Sequence, residues 1–386
     1  MNELSVYIHW PFCKSKCPYC DFMSVPEHSQ DVYTEIEKCL LIDLQQSMQE
    51  IGFPKINTVF FGGGTPSLMS PLAVENILNF LQKHCEISED VEITLEANPA
   101  TFSKEKIKAC KSSGINRLSL GIQSFQDKNL KFLGRIYDSQ QALAAAEIVS
   151  DIFDNFSFDF MYGYQTQSAK DIENDLLAAM NFNCPHISCY QLTFEENTPF
   201  FVKLEDGELN EIDESDAISH FDFIEQFLSG YSINRYEVSN YAKPGFESKH
   251  NLVYWNYKNY LGIGPSAHSR LTIDNQKYER AKIRNLSEWK NAICSGCSAY
   301  EINEKLSETE QLEEILIMGL RLTDGINAQR IIEQFSEEIA APVLQKIQLL
   351  RADGFFAQDQ SRLKLTPKGF LALNSVLGEI FEEKAH

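Results

Sequence analysis

The feature that most constrains this chain is a regular alternation over its first two hundred residues. Short β-type runs near 4–9, 57–61, 91–95, 116–121, 156–162 and 186–192 are separated by helix-period stretches near 31–51, 71–84, 104–113, 139–152 and 169–181. Ser70-Pro71 and Ser103 read as helix starts, and Gly114 as the residue past a helix end. Alternation of this kind builds parallel sheet, either doubly wound or curled toward a barrel. The placement of unusual residues separates the two. Cys13 to Cys20 follow the first strand, Gly62-Gly63-Gly64-Thr65-Pro66 the second, Glu96 and Asn98 the third and Gln123 the fourth, while Asp159 lies within the fifth. Features gathered at strand C-terminal ends belong to a barrel whose site lies on that face. Six units predict a partial (β/α)6 TIM-like barrel, open on one side.

A length of 386 residues allows one large domain with a smaller addition. The barrel is expected over 1–205 and an α/β extension over 206–300, with a helix near 217–229 and a strand over 234–238. A C-terminal winged-helix-like module is expected over 301–386, with Thr366-Pro-Lys-Gly369 opening its last helix. The 34 basic and 55 acidic residues give a charge of −21, which disfavours a nucleic-acid partner. From 301 onward nine basic residues face fifteen acidic ones, so the winged-helix-like module is no exception. No transmembrane segment, secretory leader or lipidation motif is visible, so the ten cysteines are expected as thiols in the cytoplasm, with any membrane contact peripheral.

Cys13, Cys17 and Cys20 fall within eight residues, and no fourth cysteine follows before Cys39. A closed structural zinc site takes four ligands, whereas a [4Fe–4S] cluster on three thiolates keeps one iron open for a ligand. The glycines at 62–64 are neither a P-loop nor a dinucleotide fingerprint; they read as a tight turn or as backbone that a ligand can approach closely. Glu96 can be a surface carboxylate or an acceptor for paired hydroxyls. Gln123, Arg135 and Asp159 have ordinary polar readings too, although a guanidinium suits a carboxylated ligand.

Together these residues resemble the radical S-adenosylmethionine superfamily, in which Cys-x3-Cys-x2-Cys carries an aromatic, here Tyr19, before its third cysteine. Tyr7-Ile-His9-Trp-Pro-Phe-Cys13, Phe61-Gly-Gly-Gly-Thr-Pro66, Glu96-Ala-Asn-Pro99, Arg117-Leu-Ser-Leu-Gly-Ile-Gln-Ser-Phe125, Leu133-Gly-Arg135 and Asp159-Phe-Met-Tyr-Gly163 are similar, in order, to the oxygen-independent coproporphyrinogen oxidase (HemN-like) group. The resemblance spans nearly the whole chain. It implies a [4Fe–4S] cluster on Cys13, Cys17 and Cys20. It also implies S-adenosylmethionine contacted by Tyr7, Gly63, Gly64, Thr65, Glu96, Gln123, Arg135 and Asp159, with Tyr19 beside Cys20.

Two functions divide that group. The oxidases resemble Cys-x3-Cys-x2-Cys-x-Cys behind a long N-terminal segment, but Phe22 stands here in place of the fourth cysteine and Tyr7 lies near the start. His250-Asn251-Leu-Val-Tyr254-Trp255 looks like the His-Asn-x-x-Tyr-Trp motif of the HemW-type heme chaperones. That likeness implies heme as partner, with His250 as axial ligand and Tyr254, Trp255, Tyr257 and Tyr260 as an apolar wall; the bland reading is a buried, hydrogen-bonded histidine. The expected function is delivery of heme to recipient hemoproteins, with membrane-bound respiratory enzymes as candidates and a homodimer left open. The alternative is oxidative decarboxylation of coproporphyrinogen III. Two departures stand out: Tyr137 replaces the histidine of Leu-Gly-Arg-x-His, and Gly163-Tyr-Gln-Thr-Gln-Ser168 lacks a proline and second glycine, so a looser loop is expected there. Cys294-Ser-Gly-Cys297 reads as incidental.

Overall fold

Strands β1 (Glu3–Trp10), β2 (Lys55–Gly63), β3 (Ile87–Ala97), β4 (Arg117–Gln123), β5 (Phe156–Tyr162) and β6 (His186–Gln191) run parallel in that order. Between them lie helices α1 (Gln30–Ile51), α2 (Pro71–His84), α3 (Lys104–Ser112), α4 (Ser139–Ile152) and α5 (Ala169–Met180). The structure is a computed structural model that describes residues 2–26, 29–101 and 103–381. Helix punctuation follows the sequence: Ser70 and Ser103 each accept a backbone N–H in the first turn that follows, and Gly114 takes φ +114°.

Parallel strands buried on both faces usually read as unbroken apolar runs, but these alternate. On β1, Leu4, Val6, Ile8 and Trp10 pack outward into the main core with Val59 and Phe61 of β2, Leu95 of β3 and Leu118, Leu120 and Ile122 of β4. Ile36, Leu40, Leu44, Ile77, Leu81 and Val149 on the helices meet them there. The intervening positions carry Ser5, Tyr7, His9, Thr58, Glu92, Thr94, Glu96, Arg117, Ser119, Ser157, Asp159 and Ser188, and they face a polar barrel interior. Ser157 donates to Ser119 Oγ, and both Ser119 and Ser188 donate to Asp159.

The six strands are the middle of a larger sheet. After helix α6 (Glu214–Ser229), strands β7 (Asn234–Arg235) and β8 (Asn240–Ala242) continue it beyond β6. Helix α7 (Lys249–Trp255) precedes β9 (Tyr260–Ile263), β10 (His268–Ile273) and β11 (Gln276–Lys282). After α8 (Leu286–Cys294), β12 (Tyr300–Lys305) completes a twelve-stranded order of β12-β11-β10-β9-β1-β2-β3-β4-β5-β6-β8-β7. The partial barrel is therefore extended at both edges, and β1 is an interior strand paired in parallel with β9. The strand expected over 234–238 ends at Arg235, because Tyr236 N–H bonds back to Asn240 carbonyl oxygen and closes a hairpin.

Asp43 of α1 ties this extension down. Fully buried, it accepts hydrogen bonds from Lys282 Nζ at 2.6 Å, Gly264 N–H at 3.0 Å, Trp289 Nε1 at 3.1 Å and Ser47 Oγ at 3.2 Å. A second core gathers Leu312 and Leu316 of helix α9 (Glu308–Gly319) and Leu320 just past its end with Ile347 and Leu350 of α10 (Glu337–Ala352) and Val376 and Ile380 of α11 (Leu373–Phe381). Ile326–Asn327 pairs antiparallel with Arg362–Leu363 as a short wing, where buried Arg351 donates to the carbonyls of Ala357, Asp359 and Arg362. Among the described residues no helix is long and apolar enough to cross a membrane.

Candidate functional site

The C-terminal ends of the six parallel strands bring the expected residues together. Chain tightness there explains two glycines. Gly63 has φ +108°, and a Cβ on it would stand 2.7 Å from the His9 ring; a Cβ on Gly64 would stand 2.5 Å from Phe12 carbonyl oxygen. The loop after β2 thus lies against the end of β1, with Gly64 N–H on Trp10 carbonyl oxygen and Thr65 N–H on Phe12 carbonyl oxygen. The missing side chains serve this packing first, and leave Gly63 lining the cavity beyond.

The loop after β1 presents Cys13, Cys17 and Cys20 as free, half-buried thiols. Among the described residues no group of three or more His, Cys, Asp or Glu side chains closes on a single ion. A cubane differs, since it spreads three thiolates over three irons, and three unpaired thiols on one loop fit it. Burial pushes the Cys20 thiol up to about 11, with the Phe22 backbone amide offsetting part of this; metal binding must displace the proton. Leu133-Gly134-Arg135 packs onto the loop, since a Cβ on Gly134 would meet Pro18 at 2.6 Å. Arg135 Nη1 donates to Cys17 Sγ at 2.9 Å and to the Tyr19 hydroxyl at 3.3 Å. Its Nε donates at 3.0 Å to Tyr137, whose hydroxyl lies 2.9 and 2.8 Å from the Gly121 and Ile122 carbonyl oxygens. Tyr137 therefore anchors the arginine to the end of β4.

Behind the loop are two carboxylates. Burial raises Glu96 to about 8, nearby Asp159 adds to this, and a Gly63 N–H and Arg117 oppose it. Burial also raises Asp159, opposed by the hydroxyls of Ser119 and Ser188, which each donate to one carboxyl oxygen at 2.8 Å. Gln123 takes φ +64° at a β4 irregularity that turns its side chain toward Gly121. The loop after β5 is better fastened than its composition predicts. Gln167 accepts from Gly163 N–H and donates to the Met161 carbonyl and the Tyr164 hydroxyl, while Tyr164 stacks on Phe132 at 5.0 Å.

His250 lies one layer beneath, with the Tyr7 ring stacked on its own at 6.4 Å. Helix α7 seals the opposite, N-terminal mouth of the barrel, where Glu92 accepts the N–H groups of Lys249 and His250 and lies 3.9 Å from buried Arg117. His250 is 1% exposed, with Nδ1 2.6 Å from Thr58 Oγ1 and Nε2 2.8 Å from the Tyr254 hydroxyl. Phe60 stacks on its ring at 4.9 Å, and burial drives its pKa down to about 3. Both ring nitrogens are engaged inside the protein, so the arrangement is that of a buried, hydrogen-bonded histidine. Of the expected aromatic wall, Tyr254 and Tyr260 reach the cavity at the other mouth, while Tyr257 packs into the second core.

That cavity holds about 300 Å³ and is lined by Tyr7, His9, Met23, Tyr254, Tyr260 and His268, among others. His9 Nε2 donates to Met23 carbonyl oxygen at 2.8 Å, which leaves Nδ1 to accept from Tyr7 at 3.2 Å; burial lowers His9 to about 4. Away from the site, Cys294 lies 3.6 Å from Cys39 of α1, sulfur to sulfur. Sequence reasoning missed Ser119, Ser157 and Ser188, which position Asp159, and also His268. Their signal was the polar beat within β4 and β5, Arg117-x-Ser119-x-Gly121-x-Gln123 and Ser157-x-Asp159.

Comparison with known proteins gives this geometry relatives. The Radical SAM superfamily profile matches residues 7–179, and the HemN C-terminal domain profile matches residues 306–372. Heme chaperone HemW of Bacillus subtilis is 31% identical over 98% of this chain and 99% of its own length. The protein of that name in Escherichia coli is 34% identical over 99% and 98%. The one from Buchnera aphidicola of Schizaphis graminum is 41% identical over 75% and 77%. Coproporphyrinogen III oxidase (HemN) from Escherichia coli, a radical SAM enzyme, superposes with a TM-score of 0.82 over 98% of this chain and 90% of its own, at 19% identity. That likeness is one of fold.

Proposed function

The chain belongs to the HemW family within the radical SAM superfamily, and from that premise we propose that it is a heme chaperone, binding heme and delivering it to hemoproteins while carrying a [4Fe–4S] cluster and S-adenosylmethionine. The observation that carries the reading is the full-length relationship to proteins named heme chaperone HemW. Cys13, Cys17 and Cys20 would hold the cluster, which when bound supplies one-electron chemistry toward a sulfonium. Arg135 orients the loop through Cys17 and Tyr19. Glu96 and Asp159 offer acceptors for ribose hydroxyls, Gly63, Gly64 and Thr65 offer backbone toward the methionine amine, and Gln123 and Tyr7 flank them. We place the protein in the cytoplasm, with recipients that include membrane-bound respiratory enzymes and a homodimer as a working assembly.

The competing reading, decarboxylation of coproporphyrinogen III, is separated by one experiment. The anaerobically reconstituted protein is given coproporphyrinogen III with S-adenosylmethionine and reductant, and in parallel is titrated with heme. Stoichiometric heme uptake without conversion is expected. Catalytic conversion to protoporphyrinogen would sink the chaperone reading.

A further inference from the structure

We propose that the outer part of the cavity between the cysteine loop and the β9–β10 turn, beyond the Tyr7 and Gly63 that the reading above gives to S-adenosylmethionine, is the heme seat, and that His268, rather than His250, presents the axial imidazole. The inference rests on the heme-chaperone reading above and deepens it.

Four histidines bear on the barrel and its mouth and differ in what their ring nitrogens do; His186 of β6 is buried with Nε2 2.9 Å from the Tyr236 hydroxyl and does not line the cavity. Both nitrogens of His9 and both of His250 are engaged within the protein. The His268 side chain has no hydrogen-bond partner among the described residues, lies at the start of β10 and lines the cavity. The residue is exposed at the rim, and partial desolvation there, with Arg270 nearby, holds its pKa below the ordinary histidine value, so at neutral pH the ring keeps the lone pair a metal needs.

The backbone positions this ring. Gly264, at φ +103°, comes so close to β1 that a Cβ would stand 2.6 Å from His9 carbonyl oxygen, and its N–H is held by Asp43. Ser266 then takes φ +63°, and the chain re-enters the sheet with His268 opposite Ala281. The turn is fixed to the barrel at both ends. Around the ring the surfaces suit a flat apolar ligand: Tyr254 and Tyr260 meet edge to face at 4.7 Å, Met23 faces them, and Phe22 is 60% exposed at the rim.

Past Met23 the cavity adjoins a groove of about 810 Å³ that contains Lys16 and Arg284. Among the described residues neither cation has an ion-pair partner, although Lys16 donates to Phe22 carbonyl oxygen. Glu288 and Glu301 share the groove. Arg284 lies two residues past the end of β11, near which Ala281 pairs with His268. A guanidinium at the edge of the groove can pair a porphyrin carboxylate.

The test titrates the reconstituted full-length protein with ferric heme, following the Soret band and low-temperature EPR, and with iron-free protoporphyrin, following fluorescence. His268→Ala is expected to weaken heme at least tenfold and to abolish the imidazole-ligated spectrum, with free imidazole restoring it. Cluster absorption and protoporphyrin affinity should stay as in wild type. Arg284→Ala should weaken both porphyrins several-fold. If wild-type protein takes up no heme, the chaperone reading itself falls. If wild type binds and His268→Ala keeps its affinity and spectrum, or if His250→Ala loses the imidazole signature instead, this assignment is overturned while that reading stands.

Discussion

The two mouths of the barrel are built from the same six strands and are opposites in chemistry. At the N-terminal mouth helix α7 closes the interior, and His250 is engaged at both ring nitrogens by Thr58 and Tyr254 while Glu92 takes the α7 amides, with Arg117 Nε buried nearby without a hydrogen-bond partner. At the C-terminal mouth the thiols are free, Glu96 is held toward its neutral form, and His268 has no partner among the described residues. Satisfied buried groups specify a fold, whereas groups left unsatisfied at an opening are where a ligand completes the structure. The His250-Asn-x-x-Tyr-Trp motif spans the two: His250 is enclosed at the closed end, while Tyr254 reaches the cavity at the open one.

The comparison can be broken by changes at either mouth. Replacing Cys13, Cys17 and Cys20 together by serine should abolish the cluster's visible absorption while leaving the apo-protein's melting temperature nearly unchanged; a collapsed apo-protein would make the cysteine loop structural. At the closed mouth, Glu92→Ala leaves buried Arg117 without its carboxylate and should cost about 3–5 kcal/mol in urea denaturation, with cluster loading intact in the folded fraction. His250→Ala should cost less, about 1–3 kcal/mol, by stranding Thr58 and Tyr254. A stability-neutral His250→Ala that loses heme would reverse the roles of the two ends.

A comparable effect is in pH. Glu96 in the folded apo-protein holds its proton to about pH 8, whereas the unfolded carboxyl releases it near 4.5. The folded state binds more protons in that window, so the contribution of Glu96 to stability is full below pH 4.5 and is lost as pH rises toward 8. His250, lowered to about 3, acts oppositely: the unfolded ring takes up a proton below about 6.5, so its contribution falls as pH drops from there toward 3. Glu96→Gln should flatten the alkaline side of a stability-versus-pH curve and leave the acid side as it was. An unchanged alkaline slope would put Glu96 in an ordinary solvated environment.

Most of the barrel was legible because β1 to β6 and α1 to α5 are local in sequence and carry their own punctuation, such as Ser70-Pro71 and Gly114. What could not be read was long-range. Nothing local to Val6 or Ile8 tells that they pair with Leu261 and Ile263 in the middle of a twelve-stranded sheet. The site divided along the same line. The cysteine loop, Glu96 and Arg135 announce themselves by position at strand ends. The place of His250 depends on which mouth α7 enters, and that is decided by Glu92 and Thr58, about 160 and 190 residues earlier. His268 looks ordinary in sequence, because its role comes from the turn at Gly264 and Ser266.

The pairing of Ser5 with Tyr260 also bears on how the protein is made. The strand that covers the second edge of β1 leaves the ribosome about 255 residues after β1 itself. At roughly 5–20 residues per second this leaves Leu4-Ser-Val-Tyr-Ile with an open edge for roughly 13–50 seconds of synthesis. An apolar strand waiting that long is a template for intermolecular pairing. The nascent chain should therefore depend on a holding factor until β9 emerges, and truncations ending before residue 260 should aggregate where those ending after β12 stay dispersed.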